Sequence, residues 1–285
     1  MIIKKRTRRK KLKYYIGRTV IYTMLIVGAC MYLFPFLWMI STSLKAPTEL
    51  MTNPPTWFPE TPQWSNYIDA LNYFPFWRYL LNSVFLVVMT MIGSIFSSAL
   101  VGYAFARIEW PGRDIWFAIL IATMILPNAV TMIPQFILFK NIGWTNSYLP
   151  LIVPAFTGNA FNIFLLRQFF RTIPMQLTES ARIDGCSEFG IFARIILPLS
   201  KPALATVAVF SFMGAWNDFM GPLLYVNDKM SYTLSFGLRT FQMQSGTMWN
   251  LMMAASVVVA IPTLILFFTC QKQFIEGVNL TGIKD

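Results

Sequence analysis

A single acid, Asp218, stands well inside an apolar run, flanked by Trp216 and Asn217. An ionisable side chain in such a place is costly, and it marks a functional site unless a structural bond satisfies it. It falls about 16 residues into its run, roughly 24 Å along a helix that rises 1.5 Å per residue, where water reaches from the far side. A hydrogen bond to a neighbouring helix, with Asn217 as company, is preferred here over a place on a solute path. Bond-making chemistry is poorly supplied. The chain has no histidine, which removes Ser-His, Cys-His and His-metal arrangements. Its three cysteines, Cys30, Cys186 and Cys270, are far apart, lack metal-ligand spacing and imply no disulfide framework. No phosphate loop of the form G-x-x-x-x-G-K-S/T occurs. No catalytic residue, metal site or cofactor is therefore expected on this chain.

The elements that must hold Asp218 are membrane helices. Of 285 residues, 56% are hydrophobic and 12% charged, with a mean hydropathy of +0.55. Soluble domains carry roughly 25% charge, and so few charges cannot cover a water-facing surface of this length. The expected class is an all-α integral membrane protein. Six stretches reach the roughly 20 apolar residues of a crossing: 19–41, 79–104, 115–137, 148–168, 202–225 and 248–270. The first exceeds the roughly 7–15 residues of a signal core, and Lys45, Pro47 and Glu49 follow it where a cleavage site would stand, so it is read as retained.

Net charge is +11, which in a soluble protein would raise nucleic acid as a partner. Here nine basic residues (Lys4, Lys5, Arg6, Arg8, Arg9, Lys10, Lys11, Lys13 and Arg18) crowd ahead of the first run, a placement that fits anionic lipid and not nucleic acid. With the N-terminus inside, eighteen Lys and Arg fall on the inner side and five (Lys45, Arg78, Lys140, Lys229, Arg239) outside, which makes both termini cytoplasmic. The chain then divides into a basic N-terminus (1–18), a first helix with its external loop (19–78), a five-helix core (79–270) and a tail (271–285).

Gly93, Ser94, Ser97, Ser98 and Gly102 lay small residues along the second helix, for close helix packing or, as the less favoured reading, beside a polar path. Pro127, Pro134, Pro150, Pro154 and Pro262 are expected to kink their helices. The aromatic-rich segment 42–78 suits an interfacial belt or an external docking surface, and 226–247 is polar enough to reach a solute or partner.

The connection 169–201 has its own structure. Pro174 suits the first turn of a helix, Gly185 its left-handed end, and Ser187 the cap of a second helix with Glu188 in its first turn. That second helix is expected to stop before Pro198 and Pro202. On the first helix Leu177, Ala181 and Asp184 share one face, and Glu179 and Arg182 another. Such an element either docks on a partner or lies on headgroups.

Glu179-Ser180-Ala181, Gly185, and then Ile195, Leu197 and Pro198 resemble the EAA motif of permease subunits in binding-protein-dependent ABC importers. The spacing is met throughout, and the one departure is Ser180 for the first alanine. Asp184 before the glycine matches a form common in carbohydrate importers. Trp216-Asn217-Asp218-Phe219, Asn82-Ser83, Tyr103 to Arg107, Gly246-Thr247, Met253 to Ser256, Gln273 to Gly277 and Thr281 to Lys284 extend the likeness over about 79–285. It is nearest to the second permease of maltose-type systems. The resemblance implies a type I ABC importer permease fold in a bacterial inner or plasma membrane. It also implies a second permease subunit, two ATPase subunits carrying ATP and Mg, and an extracytoplasmic solute-binding protein. Glu179, Ser180, Ala181, Asp184, Gly185, Ile195, Leu197 and Pro198 would then couple ATPase closure to the path. Glu179 would meet a basic partner and Ala181 would let the surfaces approach. The implied solute is a sugar or oligosaccharide; a glycerol phosphodiester and a secondary-transporter role are the alternatives.

Overall fold

The computed structural model describes residues 2–243 and 246–282. The side chains of Lys4 to Lys13, of Gln273 to Gly277 and of Thr281 to Lys284, to which the lipid anchor and the tail likeness were assigned, lie outside the described residues. The chain divides into two compact units, residues 1–72 with 241–258, and residues 73–240 with 259–285.

The first unit is built on α1 (Ile2–Ser43), whose stretch Tyr14–Ser43 is long and apolar enough to cross a bilayer. Its end is capped by α2 (Ser65–Asn72). Asn66 Nδ2 donates to the carbonyls of Ser43 (2.9 Å) and Lys45 (3.0 Å), and Ser43 Oγ lies 2.8 Å from the Tyr67 hydroxyl. These bonds satisfy carbonyls that a helix end leaves open. The aromatic segment divides. Trp57 packs edge-on against Phe34 (5.4 Å) and Trp38 (5.3 Å) on one side, and like Phe58 and Trp64 it stays exposed on the other.

The second unit gathers around α3 (Phe76–Arg107), a 32-residue helix. Its small residues serve contact. A Cβ on Gly102 would stand 3.2 Å from Leu166 Cβ and 3.3 Å from the Arg167 nitrogen, so backbones meet there. The Ser97 hydroxyl bonds to the Ala155 carbonyl, and the Asn159 N–H donates to Ser98 Oγ. After α3 come α4 (Arg113–Thr123) and α5 (Asn128–Asn141), then short α6 (Leu149–Ile152) with a 3-10 turn (Val153–Thr157), and α7 (Ala160–Thr172). Arg107 and Arg167 clamp α3 to α7 reciprocally. The Arg107 guanidinium donates to the carbonyls of Phe170 and Ile173 at the end of α7, and Arg167 Nε donates to the Phe105 carbonyl (3.3 Å).

The loop after α7 contains α8 (Met175–Ile183), α9 (Glu188–Ile191), a π-helical turn (Phe192–Ile196) and α10 (Leu197–Leu199). Next are α11 (Lys201–Trp216), α12 (Met220–Tyr225) and α13 (Leu234–Leu238). A short hairpin, β1 (Gln242–Met243) and β2 (Gly246–Thr247), then leads into α14 (Trp249–Gly282), with Ala254 and Ala255 fully buried. Leu166, Phe170, Ile191, Phe192, Ile196 and Val207 form the core of the second unit.

Among the described residues, four helices can cross a membrane by length and composition, or up to six if each of two bent pairs crosses as one. Three expectations change. The stretch 115–137 is not one helix: α4 and α5 meet at 97°. Pro127 lacks an N–H and disfavours helical geometry at the residue before it, and the turns before it close with 3-10-type bonds. The fifth helix ends at Trp216, not near 225. Asn217 Nδ2 takes the Met213 carbonyl (2.9 Å) and Asp218 Oδ1 accepts from the Gly221 N–H (2.9 Å), so both side chains compete with the helical ladder and break it. Finally, the helix of the connection does not stop before Pro198. The π turn, in which the Leu197 N–H bonds to the Phe192 carbonyl, carries the chain through Pro198 to a bend of 82° at Ser200.

Candidate functional site

The connection between α7 and α11 has the helix–glycine–helix form expected of it. Pro174 caps α8 and Gly185 ends it at φ +80°. The Cys186 N–H bonds to the Ala181 carbonyl (2.9 Å) and the Gly185 N–H to that of Arg182 (3.0 Å), the paired closure of a Schellman motif. Nothing lies within 4 Å of a Cβ built on Gly185, so backbone conformation alone demands glycine there. Ser187 Oγ accepts from the Gly190 N–H (3.2 Å) and starts α9.

The faces of α8 do not divide as read from spacing. Thr178 and Ala181 are buried against the chain itself, while Leu177 and Asp184 are exposed. Ala181 therefore admits the protein's own core, with Phe170, Ile191 and Ile196, and does not offer a surface for approach. Glu179, Ser180, Asp184, Gly185 and Cys186 are exposed, and so are Ile183 (86%) and Phe189 (64%). Ile195 and Leu197 are half-buried and pack on that same core, and Pro198 is exposed. The described site is thus an apolar and acidic outer face on an element rooted from within.

What roots it electrostatically is Glu188. One carboxylate oxygen takes Arg182 Nε at 2.6 Å and the other takes the Tyr103 hydroxyl of α3 at 2.7 Å. The Arg182 hydrogen bond, assisted by that from Tyr103, holds the Glu188 carboxyl below its ordinary value of 4.5. The same bond raises Arg182. The sequence shows Glu188 only as a first-turn acid and places Arg182 only on one face with Glu179. Tyr103 lies 85 residues from Glu188, and spacing carries no signal over such a distance.

Trp216, Asn217 and Asp218 do not converge. Trp216 is buried and its indole N–H donates to the Val259 carbonyl (3.2 Å). Asn217 is exposed, bonded back to Met213. Asp218 Oδ1 accepts from the Gly221 N–H in the first turn of α12, and the Ser235 hydroxyl donates to the Asp218 backbone carbonyl (2.7 Å); the carboxylate thus bonds within its own turn, whereas the sequence favoured a bond to a neighbouring helix. Asp218 also lines a cavity of about 550 Å³ with Ser94, Asn162 and Ser211. Asn162 and Ser211 were not singled out from sequence, although each is a polar residue inside an apolar stretch.

Residues 98–278 match the family model described as "Binding-protein-dependent transport system inner membrane component". Among curated relatives, a probable ABC transporter permease protein, YurM of Bacillus subtilis (strain 168), is 31% identical over 95% of this chain and 90% of its own length. The arabinooligosaccharides transport system permease protein AraQ of Halalkalibacterium halodurans is 34% identical over 88% of this chain and 91% of its own. A chain from the crystal structure of a bacterial ABC transporter involved in import of the acidic polysaccharide alginate superposes with a TM-score of 0.79 at 25% identity, over 90% of this chain and 96% of that one.

Proposed function

The chain belongs to the family of binding-protein-dependent transport system inner membrane components, and from that membership we propose how it works as the carbohydrate-importer permease that its relatives indicate. It is a transporter subunit of the inner membrane and not an enzyme. Its loop 169–201 is the handle by which a separate ATPase subunit moves the membrane helices. Two such ATPases, a second permease and a solute-binding protein outside complete the importer. Both termini face the cytoplasm, in keeping with the Lys and Arg count.

The observation that carries this reading is the construction of the loop. Leu177, Ile183 and Phe189 expose apolar surface beside the acids Glu179 and Asp184, a composition suited to seating in a cleft with a basic contact for Glu179. Behind that face the Schellman closure, the Ser187 cap and the buried Ile191, Phe192 and Ile196 make the loop one body with the bundle core. Glu188 extends the connection to α3 through Tyr103. A body held this way transmits a displacement, as a two-state coupling element must.

The solute is a sugar or oligosaccharide; AraQ is described as serving arabinooligosaccharide transport and the superposed transporter as importing the acidic polysaccharide alginate. Glu179→Lys reverses an exposed charge without touching the core, so the protein is expected to insert normally while ATPase subunits fail to co-purify. Normal assembly and normal uptake in that variant would remove the handle assignment.

A further inference from the structure

We propose that this subunit itself holds a solute-binding wall, the cavity beside Ser94, Asn162, Ser211 and Asp218, and that the wall selects uncharged oligosaccharides over acidic ones. The inference rests on the importer reading above and adds to it where the solute sits and of what charge.

The cavity has about 550 Å³, inside the roughly 300–1,000 Å³ of small-molecule sites, which is room for a short oligosaccharide segment. Its lining is mixed in the way a sugar requires. Asn162, 5% exposed, holds its carboxamide nitrogen 2.9 Å from Ser94 Oγ and 3.4 Å from Ser211 Oγ, and Ser211 Oγ lies 3.2 Å from Ser94 Oγ. Three helices, α3, α7 and α11, thereby fix one polar cluster in a lining that also carries Thr90, Asn159 and Asp218 among apolar side chains. A buried polar cluster of this kind is costly unless it is satisfied, and it can exchange its bonds with hydroxyls of a ligand.

Phe161 and Phe210 pack edge to face at 5.4 Å on the same wall and remain 41% and 45% exposed, so ring surface is available to the apolar face of a pyranose or furanose. Asp218 adds carboxylate oxygens, the group best suited to accept from paired sugar hydroxyls. Gly214 leaves the wall open: nothing lies within 4 Å of a Cβ built there.

Selection by charge follows from what the wall carries. None of its described lining residues is a lysine or arginine, and one is an acid. A uronate or phosphodiester entering would lose water without meeting a cation, beside a carboxylate that repels it. Both effects act strongly where the dielectric is low. A neutral glycan meets neither penalty.

The assembled importer, reconstituted with its ATPases, second permease and binding protein, tests this with labelled arabinotriose, maltotriose and diacetylchitobiose against trigalacturonate. Uptake is expected for a neutral saccharide and not for the uronate. Gly214→Leu, which fills the cavity while improving helix propensity, should cut that uptake about tenfold or more while the importer still assembles. Asp218→Asn keeps the Oδ1 that accepts from Gly221, and it should raise the half-saturating solute concentration about tenfold with the maximal rate intact. Uptake of the uronate, or neutral uptake unaltered in both variants, overturns the cavity assignment and leaves the importer reading standing. Uptake of no saccharide at all overturns that reading and this inference with it.

Discussion

Gly185 and Glu188 show how far single residues can be read and where reading stops. A glycine placed after an amphipathic turn, with a serine two positions on, announces a left-handed cap and a new helix, and both are present at φ +80° and in the Ser187–Gly190 bond. Local chemistry was enough because every partner lies within a few residues. Gly185→Ala is expected to cost about 1–2 kcal/mol through backbone strain alone, read as faster hydrogen exchange across 181–190. The Glu188 bond to Tyr103 closes over a long loop and was illegible for that reason. Removing it with Tyr103→Phe should lower transport per ATP hydrolysed while the complex still assembles, and Glu188→Gln should deepen that defect because it also removes the ion pair with Arg182. The same carboxylate gives a pH signature. Its folded value lies below its ordinary value of 4.5, so its stabilisation is complete above about that pH and is lost as pH falls through the lowered value. Exchange in the loop should accordingly quicken only on acidification below about pH 4.5, and a loop already loose at pH 7 would contradict the tether.

At the scale of elements, apolar length located the four helices that are long enough to cross among the described residues and misjudged two interiors. Hydropathy windows cannot see these breaks. The sequence predicts a kink at Pro127 but not the parting of 115–137 into α4 and α5 at 97°, and nothing in the windows shows that Asn217 and Asp218 consume helical partners after Trp216. Ala181 shows the same limit on a helix face. Spacing gives the phase of an amphipathic stripe, but only the fold tells which stripe meets the core. The reciprocal arginine clamp of α3 and α7 enters the sequence reading as inner charge and, for Arg107, as part of the family likeness, yet it is buried structure. Arg107→Ala would strand the carbonyls of Phe170 and Ile173 and is expected to cost about 2–4 kcal/mol, measured as a lowered Tm of the detergent-solubilised protein. Pro127→Ala returns an N–H at the break. Spin labels at the exposed Ile119 and Ile137 should then move apart toward the roughly 27 Å of a straight helix, and an unchanged separation would mean that the bend has another cause.

At the scale of the whole molecule, the proposed function depends on a loop rooted in the core of one permease being gripped by a nucleotide-hydrolysing neighbour. The chain supplies its own probe, since Cys186 is exposed on that loop. With Cys30 and Cys270 replaced by serine, a short bifunctional thiol reagent applied to the assembled importer should join Cys186 to the ATPase subunit, with a yield that changes when ATP and Mg are added. A Cys186 that is never captured by that subunit, in either nucleotide condition and in a complex shown to transport, would contradict the account at its centre.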